Sequence, residues 1–234
     1  MTDTVGAVLV AAGASRRMGF DKAWAPLGDR PVAGHALSVL ASSAQITQLA
    51  IVVSSDRLAD AGVLATGLPC AAVVCQGGAD RRDSVSAGLE ALDACEWVLV
   101  HDAARPFLTT RLIDLALDAV RATGAAVAAV PARDTVKRVA DGVVLETLPR
   151  GEIWSVQTPQ VFRTALLRSA LQSTDRDVTD EATLVERMGR QVSVFPGAES
   201  NFKITTPGDL ERAEAWLAHL RRADTGPSGN GSGE

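Results

Sequence analysis

The sequence has few of the residues that form zinc sites or disulfide frameworks. Its 234 residues include three cysteines and three histidines. The cysteines form no C-x-x-C pair, since they lie at Cys70, Cys75 and Cys95, and the scattered histidines do not complete a zinc-binding spacing. An odd number of widely spaced cysteines is typical of reduced thiols. We therefore expect a cytoplasmic protein without a zinc site.

Long apolar runs and an excess of positive charge are also missing. No segment approaches the roughly 20 apolar residues that a membrane helix needs. The first apolar stretch follows Asp3 rather than a basic region, so no signal peptide is expected. The net charge of -5 argues against a nucleic-acid-binding protein. Any cluster of cations in such a chain is therefore informative.

The sequence does contain a regular alternation of short apolar runs and segments with helical spacing. Five runs predict strands, at residues 7–12, 49–55, 71–75, 97–101 and 124–132. Strands that are apolar on both faces and separated by helices predict an α/β fold, with a parallel sheet covered on both sides. With 47% apolar residues the chain can form one large domain, which we assign to residues 1–222.

Residues 133–157 interrupt the alternation. They are mostly β-type residues with a turn signal at Asp141-Gly142 and no helix, which predicts an antiparallel hairpin or arm. Its cations, Lys137, Arg138 and Arg150, could be edge charges that discourage strand aggregation.

The last helix has a clear predicted start. Thr206 is the expected N-cap, Pro207 the first helical residue, and Asp209 lies three residues after the cap. The apolar side of this helix is predicted to be Leu210, Ala213, Leu217 and Leu220. The glycine- and serine-rich residues 223–234 are expected to form a disordered tail.

The first predicted strand ends in a loop of small residues followed by cations, AAGASRRMGFDK at 11–22. Such a loop lets backbone N-H groups approach an anion, and Arg17 and Lys22 can neutralise it. The loop has neither the Walker A nor the G-x-G-x-x-G spacing. It lies where parallel sheets bind ligands, at the carboxyl end of a strand. Phosphate is the predicted ligand, and an ordinary loop with solvated cations is the alternative.

A second loop, QGGADRRDSV at 76–85, has two glycines before a predicted helix at 81–94. A helix N-terminus favours an anion and disfavours cations, yet Arg81 and Arg82 lie there. This placement indicates an anionic partner, which could be a ligand or a neighbouring carboxylate, Asp80 or Asp83.

A third loop, HDAARP at 101–106, follows the fourth predicted strand. Asp102 is suited to the Mg²⁺ that accompanies nucleotide phosphates, or to capping the next turn, and Arg105 is suited to a phosphate. His101 is expected to be a hydrogen-bonded residue at the strand end. FKIT at 202–205 predicts a strand whose alternation allows Lys203 to face either solvent or a site.

In their order along the chain, seven motifs resemble the 2-C-methyl-D-erythritol 4-phosphate cytidylyltransferases of the non-mevalonate isoprenoid pathway. They are AAGASRRM, GGADRRDSV, VHDAARPF, DTVK, QTPQVF, TDEATLVE and FKIT, and the resemblance extends from about Val5 to Leu220. It implies a Rossmann-like nucleotidyltransferase fold with a twisted, mainly parallel sheet and a protruding β-arm that forms a homodimer. The implied reaction transfers CMP from CTP to methylerythritol phosphate and releases pyrophosphate, with Mg²⁺.

The resemblance also implies roles for the residues of these motifs. Arg17, Lys22 and Lys203 would be catalytic. The nucleotide-binding residues would be Ala11, Ala12, Gly13, Gly78, Ala79, Arg81, Ser84 and Asp102. The acceptor-binding residues would be Asp102, Arg105, Thr135, Arg150, Thr158 and Lys203, with Thr135 and Arg150 acting across the dimer. Asp102 could also hold the metal.

One motif departs from this family, which commonly has proline before the catalytic lysine, whereas this chain has Phe20-Asp21-Lys22. The stretch RMGFDK resembles the molybdopterin nucleotidyltransferases, which share the fold. Another alternative is a cytidylyltransferase for a different polyol phosphate, such as ribitol 5-phosphate. A third is a non-catalytic nucleotide-binding protein built on this fold.

Overall fold

The structure, a computed structural model, describes residues 4–13, 21–172 and 179–224. Within these residues the strands are β1 Val5–Ala11, β2 Pro26–Leu27, β3 Arg30–Pro31, β4 Gln48–Val53, β5 Ala71–Gln76, β6 Trp97–Asp102, β7 Ala125–Pro131, β8 Lys137–Ala140, β9 Val143–Thr147, β10 Trp154–Arg163 and β11 Ser193–Pro196. All five predicted strands are present, with bounds that differ from the prediction by one or two residues.

The helices follow the strands in alternation. They are α1 Val32–Ser42, α2 Leu58–Ala65, α3 Arg81–Ala91, α4 Thr110–Thr123, α5 Thr164–Leu171, α6 Glu181–Arg187 and α7 Pro207–Asp224, with short 3-10 helices at Ser55–Arg57 and Arg150–Glu152. Over the described ranges, none of these helices is both long and apolar enough to cross a membrane.

Over the described ranges, the central sheet contains seven strands in the order β11-β7-β10-β6-β1-β4-β5. Six of them run parallel to one another, and β10 runs antiparallel to both of its neighbours, β6 and β7. The register places Val8 of β1 beside Ala50 of β4 and Val100 of β6. The prediction of a mainly parallel α/β sheet is therefore confirmed.

The alternation of β1 divides the core into two layers. Leu9 and its neighbours at odd-numbered positions pack with α1, α2 and α4, whereas Val8 packs on the opposite face with α3, α5 and α6. Helices therefore cover both faces of the sheet, as predicted. A third apolar cluster, which includes Ile204 and Ala213, attaches α7 beside the carboxyl end of β6. The described residues leave a cavity at the sheet edge where β1, β5 and β6 end.

The predicted hairpin is present and stands apart from the main sheet. Among the described residues, strands β8 and β9 pair only with each other, around Asp141 and Gly142, which both have positive φ. Every residue of the two strands is exposed. The predicted range 133–157 includes residues of the main sheet, because Trp154 to Gln157 pair with β7. The projecting part is therefore shorter than the sequence indicated.

Helix α7 begins as predicted, since it starts at Pro207 and the Thr206 hydroxyl accepts from the Asp209 N-H at 3.3 Å. Two details of its prediction are wrong. Leu220 is 38% exposed, because the helix extends past the apolar cluster beneath it. The helix also includes Ala223 and Asp224, so residue 222 is too early an end for the folded chain. Residues 225–234 lie outside the described residues.

The segment FKIT is not a strand. Residues 202–205 are irregular, and Ile204 donates one backbone hydrogen bond to the Ala104 oxygen at 2.8 Å. This segment crosses the carboxyl edge of the sheet, where a single anchoring bond replaces a strand ladder. Lys203 is thereby placed at the sheet edge rather than within a sheet.

Close packing of α3 on the sheet depends on Gly88. A Cβ at this position would lie 2.5 Å from Val8 Cγ1 and 2.7 Å from Val52 Cγ2. We expect Gly88→Ala to lower the free energy of unfolding by about 1–3 kcal/mol, because overpacking forces strand and helix apart. Urea unfolding measures this change.

The matched control is Gly62→Ala in α2, where an added Cβ meets no atom within 4 Å. There the alanine should raise the free energy of unfolding by about 0.5–1 kcal/mol, because only helix propensity and backbone entropy change. Equal effects of the two substitutions would contradict the packing described for α3.

Candidate active site

A cavity of about 510 Å³ opens at the carboxyl edge of the sheet. The loops after β1, β5 and β6 form its walls. Lys22 and Lys203, which lie far apart in the sequence, also line it. Ten of the predicted site residues line it: Ala11, Ala12, Gly13, Lys22, Gly78, Ala79, Arg81, Ser84, Asp102 and Lys203. The structure thus brings together residues that lie nearly 200 positions apart.

The loop after β1 presents bare backbone to this cavity. Ala11 is buried at the end of the strand, Ala12 is half-buried and Gly13 is exposed. A Cβ at Gly13 would meet no atom of the described residues within 4 Å, so these residues leave space over Gly13 for a ligand. The predicted catalytic residue Arg17 lies outside the described residues.

The loop after β5 is fixed by the first turn of α3. Asp80 caps the helix by accepting from the Asp83 N-H at 2.8 Å. The Ser84 hydroxyl donates to the Asp80 carbonyl at 2.8 Å and accepts from the Gly78 N-H at 3.2 Å. A Cβ on Gly77 or Gly78 would overlap Ala12 or Asp83 respectively. Ser84 therefore shapes this loop with a hydroxyl that is already used within the fold.

Lys22 lies in a turn that its neighbour Asp21 stabilises. The Asp21 carboxylate accepts from the Ala23 N-H at 3.2 Å, and its other oxygen lies 3.5 Å from Arg57 Nε. The Arg57 guanidinium also stacks over the Trp24 ring, 5.6 Å from its centroid. These contacts give the turn a fixed shape without the proline that the related family commonly has there.

Asp102 occupies the centre of the site. Its Oδ1 forms an ion pair with Arg81 Nη1, and its Oδ2 lies 2.7 Å from Lys203 Nζ. Burial alone would raise the pKa of this carboxyl, but the charges of Arg81 and Lys203 outweigh burial and hold the pKa well below its usual range. Asp102 is therefore ionised at neutral pH.

Arg81 bridges two carboxylates. Besides Asp102, it contacts Glu181, with 2.9 Å between Nη2 and Oε2. Burial disfavours the charged form of Arg81, yet the two carboxylates raise its pKa above its already high ordinary value. Burial raises the pKa of Glu181, and the charge of Arg81 opposes that rise. The anionic partners of Arg81 thus include Asp102 and Glu181, whereas the sequence pattern points to a ligand or to Asp80 or Asp83.

A second cavity of about 220 Å³ adjoins the first, and the two share Arg81, Asp102 and Lys203. Arg105 and Thr158 also line the smaller cavity. Arg105 donates to the Asn201 carbonyl at 2.8 Å, and burial lowers its pKa from the ordinary value without removing its charge. The three shared residues form the boundary between the two cavities.

His101 is buried and fully hydrogen-bonded, as expected for a strand-end histidine. Thr158 Oγ1 accepts from the Asp102 N-H at 3.1 Å and lies 3.1 Å from His101 Nδ1. His101 Nε2 lies 3.1 Å from the Arg105 carbonyl. One tautomer satisfies all these groups: Thr158 donates to Nδ1, and the Nε2-H donates to Arg105. The Thr158 hydroxyl, like that of Ser84, is thus used within the fold.

Two predicted acceptor-binding residues line neither cavity. Thr135 lies in the segment between β7 and β8, and Arg150 begins a 3-10 helix after β9. Both are exposed, and Arg150 donates to the Arg133 carbonyl at 3.0 Å. Within one chain, these two residues belong to the base of the hairpin rather than to the site.

Asp102 does not fit the role of a magnesium ligand in this arrangement. Both of its oxygens are paired with cations, which leaves no carboxylate oxygen facing only the cavity. Among the described residues, no group of three or more histidine, cysteine, aspartate or glutamate side chains is placed to hold a metal. The cations around Asp102 are suited to the phosphate groups of a ligand rather than to a metal ion.

Comparison with known proteins agrees with the geometry. The sequence model of the 2-C-methyl-D-erythritol 4-phosphate cytidylyltransferases matches residues 5–219. The chain belongs to this family. A family protein from Dehalococcoides mccartyi is 48% identical over 93% of this chain and 97% of its own, and one from Halalkalibacterium halodurans is 42% identical over 92% and 97%.

Solved structures of the family share the fold. The 4-diphosphocytidyl-2C-methyl-D-erythritol synthase of Anaerococcus prevotii is 30% identical, with a TM-score of 0.84 over 93% of this chain and 97% of its own. The cytidylyltransferase of Thermus thermophilus is 32% identical, with a TM-score of 0.74 over 93% of this chain and its own full length. The nucleotidyltransferase-like α/β fold is thus confirmed by structure as well as by sequence.

Sequence reasoning missed three polar residues that build the site. Glu181 lies within the quoted family motif TDEATLVE, but no role was assigned to it. Gln157 and Asn201 are buried and bonded to each other, with 3.3 Å between Asn201 Nδ2 and Gln157 Oε1, and Asn201 also donates to the Thr158 carbonyl at 2.8 Å. A local pattern cannot identify such partners, because each contact joins segments more than 40 residues apart.

Buried His101 makes folding sensitive to mild acid. Burial lowers the pKa of His101 to about 4, whereas an unfolded histidine has a pKa of about 6.5. Between these values the unfolded chain binds more protons, so the free energy of unfolding falls as the pH falls from about 6.5 to about 4. We expect this residue to contribute a loss on the order of 3 kcal/mol. Urea unfolding at several pH values measures it.

The control is His101→Asn, which removes the titrating ring. The variant should lose less stability than the parent over the same pH range, whatever its stability at neutral pH. His35 contributes in the same direction to both proteins, because burial also lowers its pKa. Asp102 affects a lower range, since the stability from a carboxyl of lowered pKa is lost only below about pH 4. Parallel profiles for the two proteins would contradict this account.

Proposed function

We propose that this chain transfers CMP from CTP to 2-C-methyl-D-erythritol 4-phosphate, releasing pyrophosphate, in the isoprenoid pathway. The observation that carries the proposal is the pair of adjoining cavities that share Arg81, Asp102 and Lys203. A transferase of this kind needs two substrates side by side, with cations where their phosphates meet. Membership in the family supplies the identity of the two substrates.

The larger cavity is assigned to CTP. Backbone groups of the loops after β1 and β5 would contact the nucleotide, since residues such as Gly13 and Gly78 leave the backbone exposed. Lys22 is placed to neutralise the triphosphate, because its turn opens into the same cavity. A fixed cation at this point stabilises the charge that develops on the leaving pyrophosphate.

The smaller cavity is assigned to the acceptor, with Arg105 on its wall and Lys203 at its boundary with the CTP cavity. The phosphate of the acceptor already carries a nucleophilic oxygen, so no general base is needed. This oxygen forms a bond to the α-phosphorus of CTP, the bond from that phosphorus to the oxygen bridging to the β-phosphate breaks, and the electron pair leaves with pyrophosphate. Catalysis then rests on alignment and charge stabilisation.

The test is pyrophosphate release by the purified protein with Mg²⁺. We expect rapid release with CTP and methylerythritol phosphate, and little with GTP or with ribitol 5-phosphate. Faster turnover of ribitol 5-phosphate would reject the proposed acceptor. Release with neither alcohol would reject the proposed reaction and favour another acceptor, such as a pterin.

In the same assay Lys22→Ala should lower kcat at least tenfold, about 1.4 kcal/mol of transition-state stabilisation. The matched control is Arg121→Ala, which removes an exposed cation from the last turn of α4 at the opposite edge of the sheet. This variant should retain the parental kcat. An unchanged kcat for Lys22→Ala would remove Lys22 from the mechanism.

We further propose that the hairpin forms a homodimer and that Thr135 and Arg150 reach the partner's acceptor cavity. Val143 and Leu145 on β9 are 62% and 59% exposed, and Val139 on β8 is 53% exposed. An exposed apolar hairpin of this kind is typical of a surface that a partner covers.

We also propose that Mg²⁺ accompanies CTP and that the protein is located in the cytoplasm. The proposed location rests on the three cysteines, which are all free thiols.

Mixed dimers test whether Arg150 acts on the partner's site. Lys203→Met and Arg150→Ala should each be poorly active alone. Mixing them should restore activity, because the heterodimer has one site that combines an intact Lys203 with the partner's intact Arg150. Steady-state pyrophosphate release after mixing and re-equilibration measures the recovery.

The control replaces Val143 and Leu145 together by aspartate, which should yield monomers in sedimentation and abolish the recovery. Val63→Asp, at a 74% exposed valine of α2 outside the hairpin, should change neither result. If mixing Lys203→Met with Arg150→Ala restores no activity while Val143 and Leu145 are unchanged, Arg150 acts in the site of its own chain.

A further inference from the structure

Glu181 is a buried carboxylate without an assigned role. Its side chain is 2% exposed, and it is the first residue of α6. Burying a carboxylate is costly unless a cation and good hydrogen bonds compensate it. It forms an ion pair with Arg81, a residue of the cavity wall, rather than packing as a neutral group in the apolar core. This pairing indicates that the charge serves the site.

The position of Glu181 is fixed from strand β10. Gln160 of that strand donates to the Asp180 carboxylate at 2.7 Å and accepts from the Ala182 N-H at 3.3 Å. Asp180 also caps the helix by accepting from the Thr183 N-H at 3.0 Å. The two residues that flank Glu181 are therefore bonded to a central strand, so Glu181 does not depend on the short helix α6 alone for its placement.

Contacts from Glu181 reach Lys203 in three steps. Glu181 accepts from one nitrogen of the Arg81 guanidinium, and Asp102 accepts from the other. Because the guanidinium is planar and rigid, fixing one side of it orients the other. The remaining oxygen of Asp102 then pairs with Lys203 at 2.7 Å.

The charges of the cluster also depend on Glu181. Three cations, Arg81, Arg105 and Lys203, surround two carboxylates, Asp102 and Glu181. When Lys203 turns to a substrate phosphate, the two arginines and two carboxylates that stay behind balance each other. Without Glu181, Arg81 would have a free nitrogen and an excess charge, both of which favour its movement towards the phosphates.

We propose that Glu181 is a positioning residue, which holds Arg81 so that Asp102 is aimed at Lys203 and Lys203 is aimed at the acceptor phosphate. The placement of Lys203 follows from the contacts alone, whereas its effect on turnover rests on the proposed function. The two parts therefore need separate measurements.

The first measurement follows Lys203 without using the reaction. The chain has only three lysines, Lys22, Lys137 and Lys203, so reductive methylation followed by peptide mass spectrometry can give the rate at each. Glu181→Gln keeps the size of the side chain and an oxygen that can accept from Arg81, but it removes the charge. We expect methylation of Lys203 to accelerate at least threefold relative to Lys137, because its ion pair with Asp102 loosens.

The matched control is Glu186→Gln, which changes an exposed carboxylate of the same helix. It should leave all three rates unchanged. An unchanged Lys203 rate in folded Glu181→Gln would overturn the proposal, and circular dichroism establishes that the variant is folded. If the variant does not fold, Arg81→Lys, which cannot bridge both carboxylates, should accelerate Lys203 in the same way; an unchanged rate there would also overturn the proposal.

The second measurement is a double-mutant cycle on pyrophosphate release with CTP and methylerythritol phosphate. Glu181→Gln should lower kcat at least tenfold in the parent but less than threefold in a Lys203→Met background, because its effect passes through Lys203. A merely structural role would lower both by the same factor and would overturn the proposal. An inactive parent whose Lys203 rate still responds to Glu181→Gln would reject the proposed function and leave the positioning role standing.

Discussion

The arrangement of the whole site depends on one buried carboxylate held between two cations. Asp102 ends the central strand β6, so its backbone is as fixed as any part of the sheet, and its side chain pairs with Arg81 on one side and Lys203 on the other. Arg81 belongs to the helix after β5, and Lys203 belongs to the segment that leads into α7. A single ionised group thereby joins three parts of the chain that the sheet alone would leave independent.

The hydroxyl groups of the site also hold parts of the fold together. Ser84 and Thr158 both lie in quoted motifs, where a hydroxyl suggests a contact to substrate. In the structure each hydroxyl is hydrogen-bonded to neighbouring backbone or to His101. These residues therefore fix the shape of the loops. Rigid loops with exposed backbone suit a reaction that relies on alignment rather than on acid-base groups.

The strands and the ligand-binding loops could be predicted because each is encoded locally. An apolar run followed by small residues, as at Ala11 to Gly13, indicates both a strand and the loop after it. Glu181 could not be assigned in this way, since its partner Arg81 is 100 residues distant. The segment FKIT misled for a related reason: its residues alternate like a strand, but no neighbouring strand is available at the sheet edge. Strand β10 was predictable only in part. Its residues indicate a β-strand, but they do not indicate that the strand belongs to the main sheet.

The direction of β10 has a consequence for which changes of length this chain can accept. Because this strand runs against its neighbours, its first half lies at the ligand-binding edge; Gln160 is set by its pairing with β6 and β7, and Thr158 lies in the irregularity of register between Gln157 and Gln160. A slip of one residue would turn Gln160 away from Asp180 and Thr158 away from Asp102. The register of the main sheet does not constrain the hairpin that precedes β10, since in the part of the chain that the structure describes its strands pair only with each other. A change of one residue in the length of β10 would therefore disrupt the acceptor cavity within the chain, whereas a change of length between residues 137 and 147 would leave the main sheet intact and act on the proposed dimer contacts.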